Sequence, residues 1–182
     1  MREPRIFPTV ENAPAFAKMA KKLGWTQVVV VGTESEKLRQ AFEAEGLDMD
    51  TARQDGKKEG ADLLYTVPKD LEASKRLVEQ GSDGLAGWWK AGGINFVVAK
   101  LATENKVPVC VDFSALLHES RRGRIAVFAV MAEAARYLRK YQTPVLISSG
   151  AQDPWEMRSP SDLLSFGRVL GLEDAQIKAG WK

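Results

Sequence analysis

Apolar positions along this chain follow two alternating rhythms. Short runs rich in β-branched residues give way to longer stretches in which apolar residues recur every three or four positions. Gln27 to Val31 holds four consecutive valines and predicts a strand buried on both faces. Val107 to Phe113 and Pro144 to Ser148 read the same way, and Ala61 to Val67 is a strand closed by Pro68. Weaker runs are Arg5 to Val10, interrupted by Pro8, and Gly84 to Trp88. Asp48 to Arg53 is a poor strand candidate by propensity. Helical patterns lie between: Ala13 to Leu23, a helix running to about Glu45 that Thr33 to Glu36 opens as a capping box, Asp70 to Gln80, Ile94 to Glu104, Arg124 to Tyr141, and a closing pair near Ser161 to Leu170 and Glu173 to Ala179. Asp55 to Gly60 reads as a polar turn.

About seven β-α units in strict alternation predict an α/β fold, a parallel sheet under helical cover, in one domain over residues 1–182. An open doubly wound sheet and a closed (β/α) barrel both satisfy that pattern, and an unbroken series favours the barrel. Such barrels typically need about 250 residues. A chain of 182 residues therefore predicts a compact TIM-barrel-like fold with short loops, and no eighth strand pattern follows Ala179.

Composition narrows the chemistry. The 26 Lys and Arg nearly balance 24 Asp and Glu, for a net charge of +2, which alone gives no warrant for nucleic-acid binding. The charge is not evenly spread. Residues 1–90 carry 14 basic and 15 acidic groups, residues 91–182 carry 12 and 9. One histidine makes a multi-histidine metal site impossible, and one cysteine fits a reducing, cytoplasmic compartment. No apolar run approaches the roughly 18 residues of a membrane span, and Met1 to Phe7 is too charged for a signal peptide. No membrane partner is expected. The dinucleotide fingerprint, the P-loop and the nucleophile elbow are missing, and neither cofactor nor metal is expected.

Three constellations stand out. Ser148-Ser149-Gly150 ends a strong strand, at the face where parallel α/β folds place their sites. Arg158 follows shortly, just before Ser159, Pro160 and Asp162, which have the pattern of a capped helix start. A cation beside a positive helix end calls for an anion between them, unless Arg158 pairs with Glu156 or Asp153. The second is Arg121, Arg122 and Arg124 around Gly123, at the start of the longest helix, either a phosphate-binding cluster or a solvated face. The third is Trp88-Trp89-Lys90, where alternation along a strand would bury one indole and leave Trp89 beside Lys90 to stack on a base. His118 is a surface residue or a phosphate contact, Cys110 a small core hydrophobe, and Asp112 the best lone acid or base, with no second acid or histidine to serve it.

Residues 146 to 178 carry a more specific signal. Pro-Val-Leu-Ile-Ser-Ser-Gly-Ala from Pro144, then Trp-Glu-Met-Arg-Ser-Pro-Ser-Asp-Leu, then Phe-Gly-Arg-Val-Leu-Gly-Leu, with Ala175 and Lys178 after, resembles ribonuclease P protein component 3, the archaeal counterpart of the thirty-kilodalton eukaryotic ribonuclease P subunit. The upstream order of elements matches as well. After Phe113 the chain departs from the family, with Ser114-Ala115 where relatives often carry a basic residue. The resemblance implies a TIM-barrel-like fold related in architecture to the metal-dependent polymerase-and-histidinol-phosphatase barrels, here without their histidines. It implies an archaeal protein subunit of the endoribonuclease that removes the 5′ leader from precursor tRNA. The RNA would hold the active site, and the chain alone would not be catalytic. Partners implied are ribonuclease P RNA, precursor tRNA within the complex, a small partner protein and the other ribonuclease P proteins. Arg158, Arg121, Arg122 and Arg124 would contact phosphates, with Ser148 and Ser149 shaping the loop and Lys90 and His118 as further RNA-binding residues. Two other readings stand beside it: a small barrel enzyme acting on a phosphorylated metabolite through Ser148 to Gly150 and Asp112, and a structural partner subunit with little RNA contact.

Overall fold

The four valines of Gln27–Val31 split between two apolar layers. Val28 and Val30 face the helices and Val29 and Val31 face the barrel interior. In the computed structural model, which describes residues 1–32, 35–56 and 60–181, this strand is the second of seven. The strands β1 (Arg2–Ile6), β2 (Gln27–Val31), β3 (Asp48–Gln54), β4 (Leu63–Thr66), β5 (Gly84–Leu85), β6 (Val109–Asp112) and β7 (Val145–Ser148) lie side by side in chain order, every pair parallel. Helices α1 (Ala13–Lys22), α2 (Glu36–Glu43), α3 (Leu71–Glu79), α4 (Phe96–Glu104), α5 (Ser114–Leu117), α6 (Arg121–Lys140), α7 (Pro160–Leu170) and α8 (Asp174–Ala179) follow, with 3₁₀ turns at Trp88–Ala91 and Pro154–Glu156. This is a TIM-barrel-like α/β fold, as the alternation predicts. Inside it Tyr65, Cys110, Leu146 and Ala86 pack with Val29 and Val31. Gly84 is needed there, because a Cβ at that position would stand 2.7 Å from the Tyr65 ring.

Closure without an eighth strand is made by single bonds. Ile6 bridges Ala151, and the Phe7 N–H donates to the Ala151 carbonyl at 2.8 Å. The Glu3 carboxylate accepts the Ser149 N–H at 3.0 Å. Trp181 fastens the other end. Its carbonyl accepts the Arg2 N–H at 3.1 Å, and its indole N–H donates to the Ile147 carbonyl at 2.8 Å. The Trp181 ring meets Trp25 edge to face at 5.7 Å.

The structure corrects four local expectations. The first strand is Arg2–Ile6, not Arg5 to Val10, and it buries two charged residues, Glu3 and Arg5. Asp48–Gln54 is a full strand despite its composition, because the polar side chains that are not exposed, Asp50 and Thr51, are partnered. Asp50 accepts from Arg2 and Gln27, and Thr51 bonds Asp62. The two tryptophans do not alternate along a strand, since Gly87, at φ +63°, turns the chain into a 3₁₀ helix. Trp88 is buried with its indole N–H on the Cys110 carbonyl, and Trp89 is half-buried against it, edge to face. The longest helix starts at Arg121 rather than Arg124. Thr33 and Glu34 of the expected capping box, and Lys57, Lys58 and Glu59 of the expected turn, lie outside the described residues. Ser35 stands before α2 with no side-chain cap bond.

Candidate nucleic-acid interface

The C-terminal ends of the strands open onto a mouth of about 220 Å³, lined among others by Arg5, Gln54, Lys90, Asp112, His118 and Gly150. Parallel barrels place their sites at this end. Arg5 is 2 % exposed, and its two terminal nitrogens are bonded while its Nε has no hydrogen-bond partner among the described residues. It donates to Asp112 at 2.5 Å and to Gln54 at 2.9 Å, and its guanidinium lies over the rings of Tyr65 and Phe7. Burial is the largest influence and works against this cation, yet Asp112 and the neighbouring groups together hold Arg5 above its ordinary pKa.

Asp112 is engaged at both oxygens. Arg5 takes one and the Ser148 hydroxyl, at 2.5 Å, takes the other. It anchors an internal ion pair, and neither oxygen is free for the acid or base role that its place in the sequence suggests. Burial pushes the Cys110 thiol up to about 12, so this cysteine packs as a small hydrophobe. Burial also raises Glu3 to about 8, against the opposing hydrogen bond from the Ser149 N–H.

The residues singled out from sequence fall into two groups. Ser148 and Ser149 have no exposed area, and the Ser149 N–H is spent on Glu3. They shape the loop from within and present no surface to a ligand. Gly150, at φ +60°, lets that loop press on β6, since a Cβ there would sit 2.8 Å from Asp112 Cβ. The second group is exposed, apart from Arg158, which is half-buried. Lys90 projects from the 3₁₀ turn into the mouth. His118 ends α5 and meets Glu156 across the rim at 2.6 Å. Burial raises Glu156, but this bond and the Gln152 N–H hold it below the ordinary carboxylate value.

Arg121, Arg122 and Arg124 occupy the first turn of α6, capped by Ser120, whose hydroxyl accepts the Gly123 N–H at 3.2 Å. All three are exposed, and among the described residues none forms an ion pair. Three cations at a positive helix end repel their surroundings until an anion arrives. Arg158 does not pair with Glu156 or Asp153. It donates to the carbonyls of Trp155 and Met157 and lies over the Phe113 ring at 5.0 Å. Ser159 and Asp162 form the expected capping box. Sequence reasoning missed Glu3, Arg5 and Gln54. The one available signal was three charged residues, Arg2, Glu3 and Arg5, within the first five of the chain. Among the described residues no cluster of three metal-ligating side chains occurs and no helix is long and apolar enough to cross a membrane.

Residues 48–181 match the family described as RNase P subunit p30. The chain belongs to that family. Among curated relatives, ribonuclease P protein component 3 of Thermococcus kodakarensis is 31% identical over 120 residues, covering 64% of this chain and 54% of its own length. The Methanosarcina mazei protein of the same name is 35% identical over 85 residues, covering 47% and 36%. The match thus spans about half the length of the first of these relatives and about a third of the second. A chain from a cryo-EM structure of archaeal ribonuclease P with mature tRNA superposes with a TM-score of 0.81, at 19% identity, over 99% of this chain and 87% of that one. At that identity the likeness speaks to the fold alone.

Proposed function

We propose that this p30-family chain is a protein subunit of an archaeal, cytoplasmic ribonuclease P, acting as one RNA-binding domain that supports 5′-leader removal from precursor tRNA. The observation that carries the reading is the unpaired arginine cluster at the start of α6, set beside a mouth whose buried Arg5–Asp112 ion pair is committed to internal bonds. Arg121, Arg122, Arg124 and Arg158 contact phosphates of the ribonuclease P RNA, and Lys90 and His118 extend that surface to the mouth. Arginine suits this task because its planar fork meets phosphate oxygens two at a time. The RNA holds the active site. A small partner protein, precursor tRNA and the other ribonuclease P proteins complete the assembly. No cofactor is needed.

Reconstitution tests the reading. Added with the partner protein to ribonuclease P RNA at low magnesium, the chain raises the rate of precursor-tRNA cleavage. Absence of any stimulation overturns the proposal. Turnover of phosphorylated metabolites by the chain alone would favour a small barrel enzyme instead.

A further inference from the structure

Of the five tryptophans, Trp25, Trp88 and Trp181 are buried and Trp89 is half-buried, whereas Trp155 is 79 % exposed. An indole this open forgoes burial of a large apolar surface. It is not loosely held. Asp153 accepts the Trp155 N–H at 2.9 Å, Arg158 donates to the Trp155 carbonyl at 3.0 Å, and Pro154 and Met157 on either side are buried. Glu156, next in the chain, is tied to His118 and to the Gln152 N–H. The backbone is fixed and only the ring is free.

Beside the ring runs a groove of about 430 Å³ between this turn and α1, lined by Asn12, Lys18, Met19, Lys22, Asp153 and Trp155 among others. Lys18 and Lys22 stand one helical turn apart on α1, both exposed, and neither is paired among the described residues. Asp153 is the one carboxylate on this lining, and it is engaged with the Trp155 N–H. Glu156 connects the turn to His118 and Gln152, which line the barrel mouth.

We infer that Trp155, with Lys18 and Lys22, is a stacking platform for an unpaired nucleotide of the bound RNA. A base lies on the indole face while the two lysines neutralise the flanking phosphates. Stacking of this kind tolerates any base, because every base offers a π-face, and fixed aromatics beside a positive groove are what single strands require. An apolar protein surface would fill the groove equally well in shape, but would leave two lysine charges facing it unmatched. The inference rests on the RNA-binding reading above and adds a second contact surface to it.

The test uses the full chain and short single-stranded RNA, hexa-adenylate and hexa-uridylate, with a duplex of equal charge as control. Single strands quench the solvent-exposed tryptophan emission and the duplex does not. Trp155→Ala abolishes that quenching and weakens single-strand binding roughly tenfold, while Trp155→Phe keeps most of the affinity. Replacing Lys18 and Lys22 with Gln lowers the salt dependence of single-strand binding. Should Trp155→Ala bind single strands as wild type does, the platform is wrong and the subunit reading stands. Should Trp155 be shielded by the partner protein and untouched by RNA, the surface belongs to that protein. Should wild type neither bind RNA nor stimulate cleavage, both proposals fall together.

Discussion

Glu3 in β1 accepts the backbone N–H of Ser149, 146 residues away, just past the end of β7. The carboxylate stands in for a ladder bond that a neighbouring strand would have supplied. It does so fully buried, with its second oxygen unpartnered.

That position makes stability depend on pH. Glu3 ionises near 4.5 in an unfolded chain and at about 8 in the fold. A raised carboxyl pKa favours the folded state most below pH 4.5, and the advantage is lost as pH rises towards 8. Glu3→Gln keeps the acceptor and removes the charge. The variant is expected to be more stable than wild type above pH 8, by a few kcal/mol at most, with the difference vanishing near pH 4. Urea unfolding across pH 4 to 9 measures it, and parallel pH profiles for the two proteins would refute it.

The Arg5–Asp112 pair is a second buried charge site. Removing one partner leaves an uncompensated charge in the interior. Arg5→Met is expected to cost about 3–5 kcal/mol. The double variant Arg5→Met, Asp112→Leu recovers much of the loss, because no charge is then left alone. Chemical denaturation of the three proteins decides it, and a double variant as unstable as the single one counts against the argument.

Trp181 links β1 to β7 through its carbonyl and indole N–H. Trp181→Phe keeps the backbone bond and loses the indole donor, leaving the Ile147 carbonyl short of a partner, and is expected to cost about 1–3 kcal/mol. Trp181→Ala adds a cavity and costs about 3–5 kcal/mol. Thermal unfolding separates the two, with the alanine variant lower.

The arginine cluster at α6 predicts opposite effects on folding and on binding. Replacing Arg121, Arg122 and Arg124 with Gln removes three cations from a helix N-terminus, so the free protein keeps or slightly gains stability. RNA affinity falls, and the slope of log K against log salt becomes shallower. Each phosphate that the protein no longer neutralises reduces it by about 0.9 on a B-form duplex and by about 0.7 on a single strand. A variant with unchanged salt slope would show that the arginines only face solvent.

The parts of this fold that are legible in sequence are those whose reasons are local. Four valines in β2 declare two buried faces by themselves, and Ser159 with Asp162 declares a helix start within four residues. Glu3, Arg5 and Asp50 could not be read that way. Their partners are Ser149, Asp112 and Arg2, far along the chain, and until those are placed a charge in a strand looks like an error. Gly87 had a similar effect on the tryptophans, because a single left-handed residue converts a strand's alternation into a turn. At the site, the exposed arginines were legible as a cluster of like charge. The mouth was not, since Arg5, Gln54 and Asp112 meet only when three strands stand in register.

The seam between β1 and β7 also orders events in time. Its bonds join residues 2 to 7 with residues 149 to 181, so all of them are strongly non-local. Contacts of that span are the slowest to form. Until residues 149 to 181 are in place, β1 is therefore paired by β2 alone. Its other edge is open in that interval, and an open strand edge is what chaperones or neighbouring chains would meet.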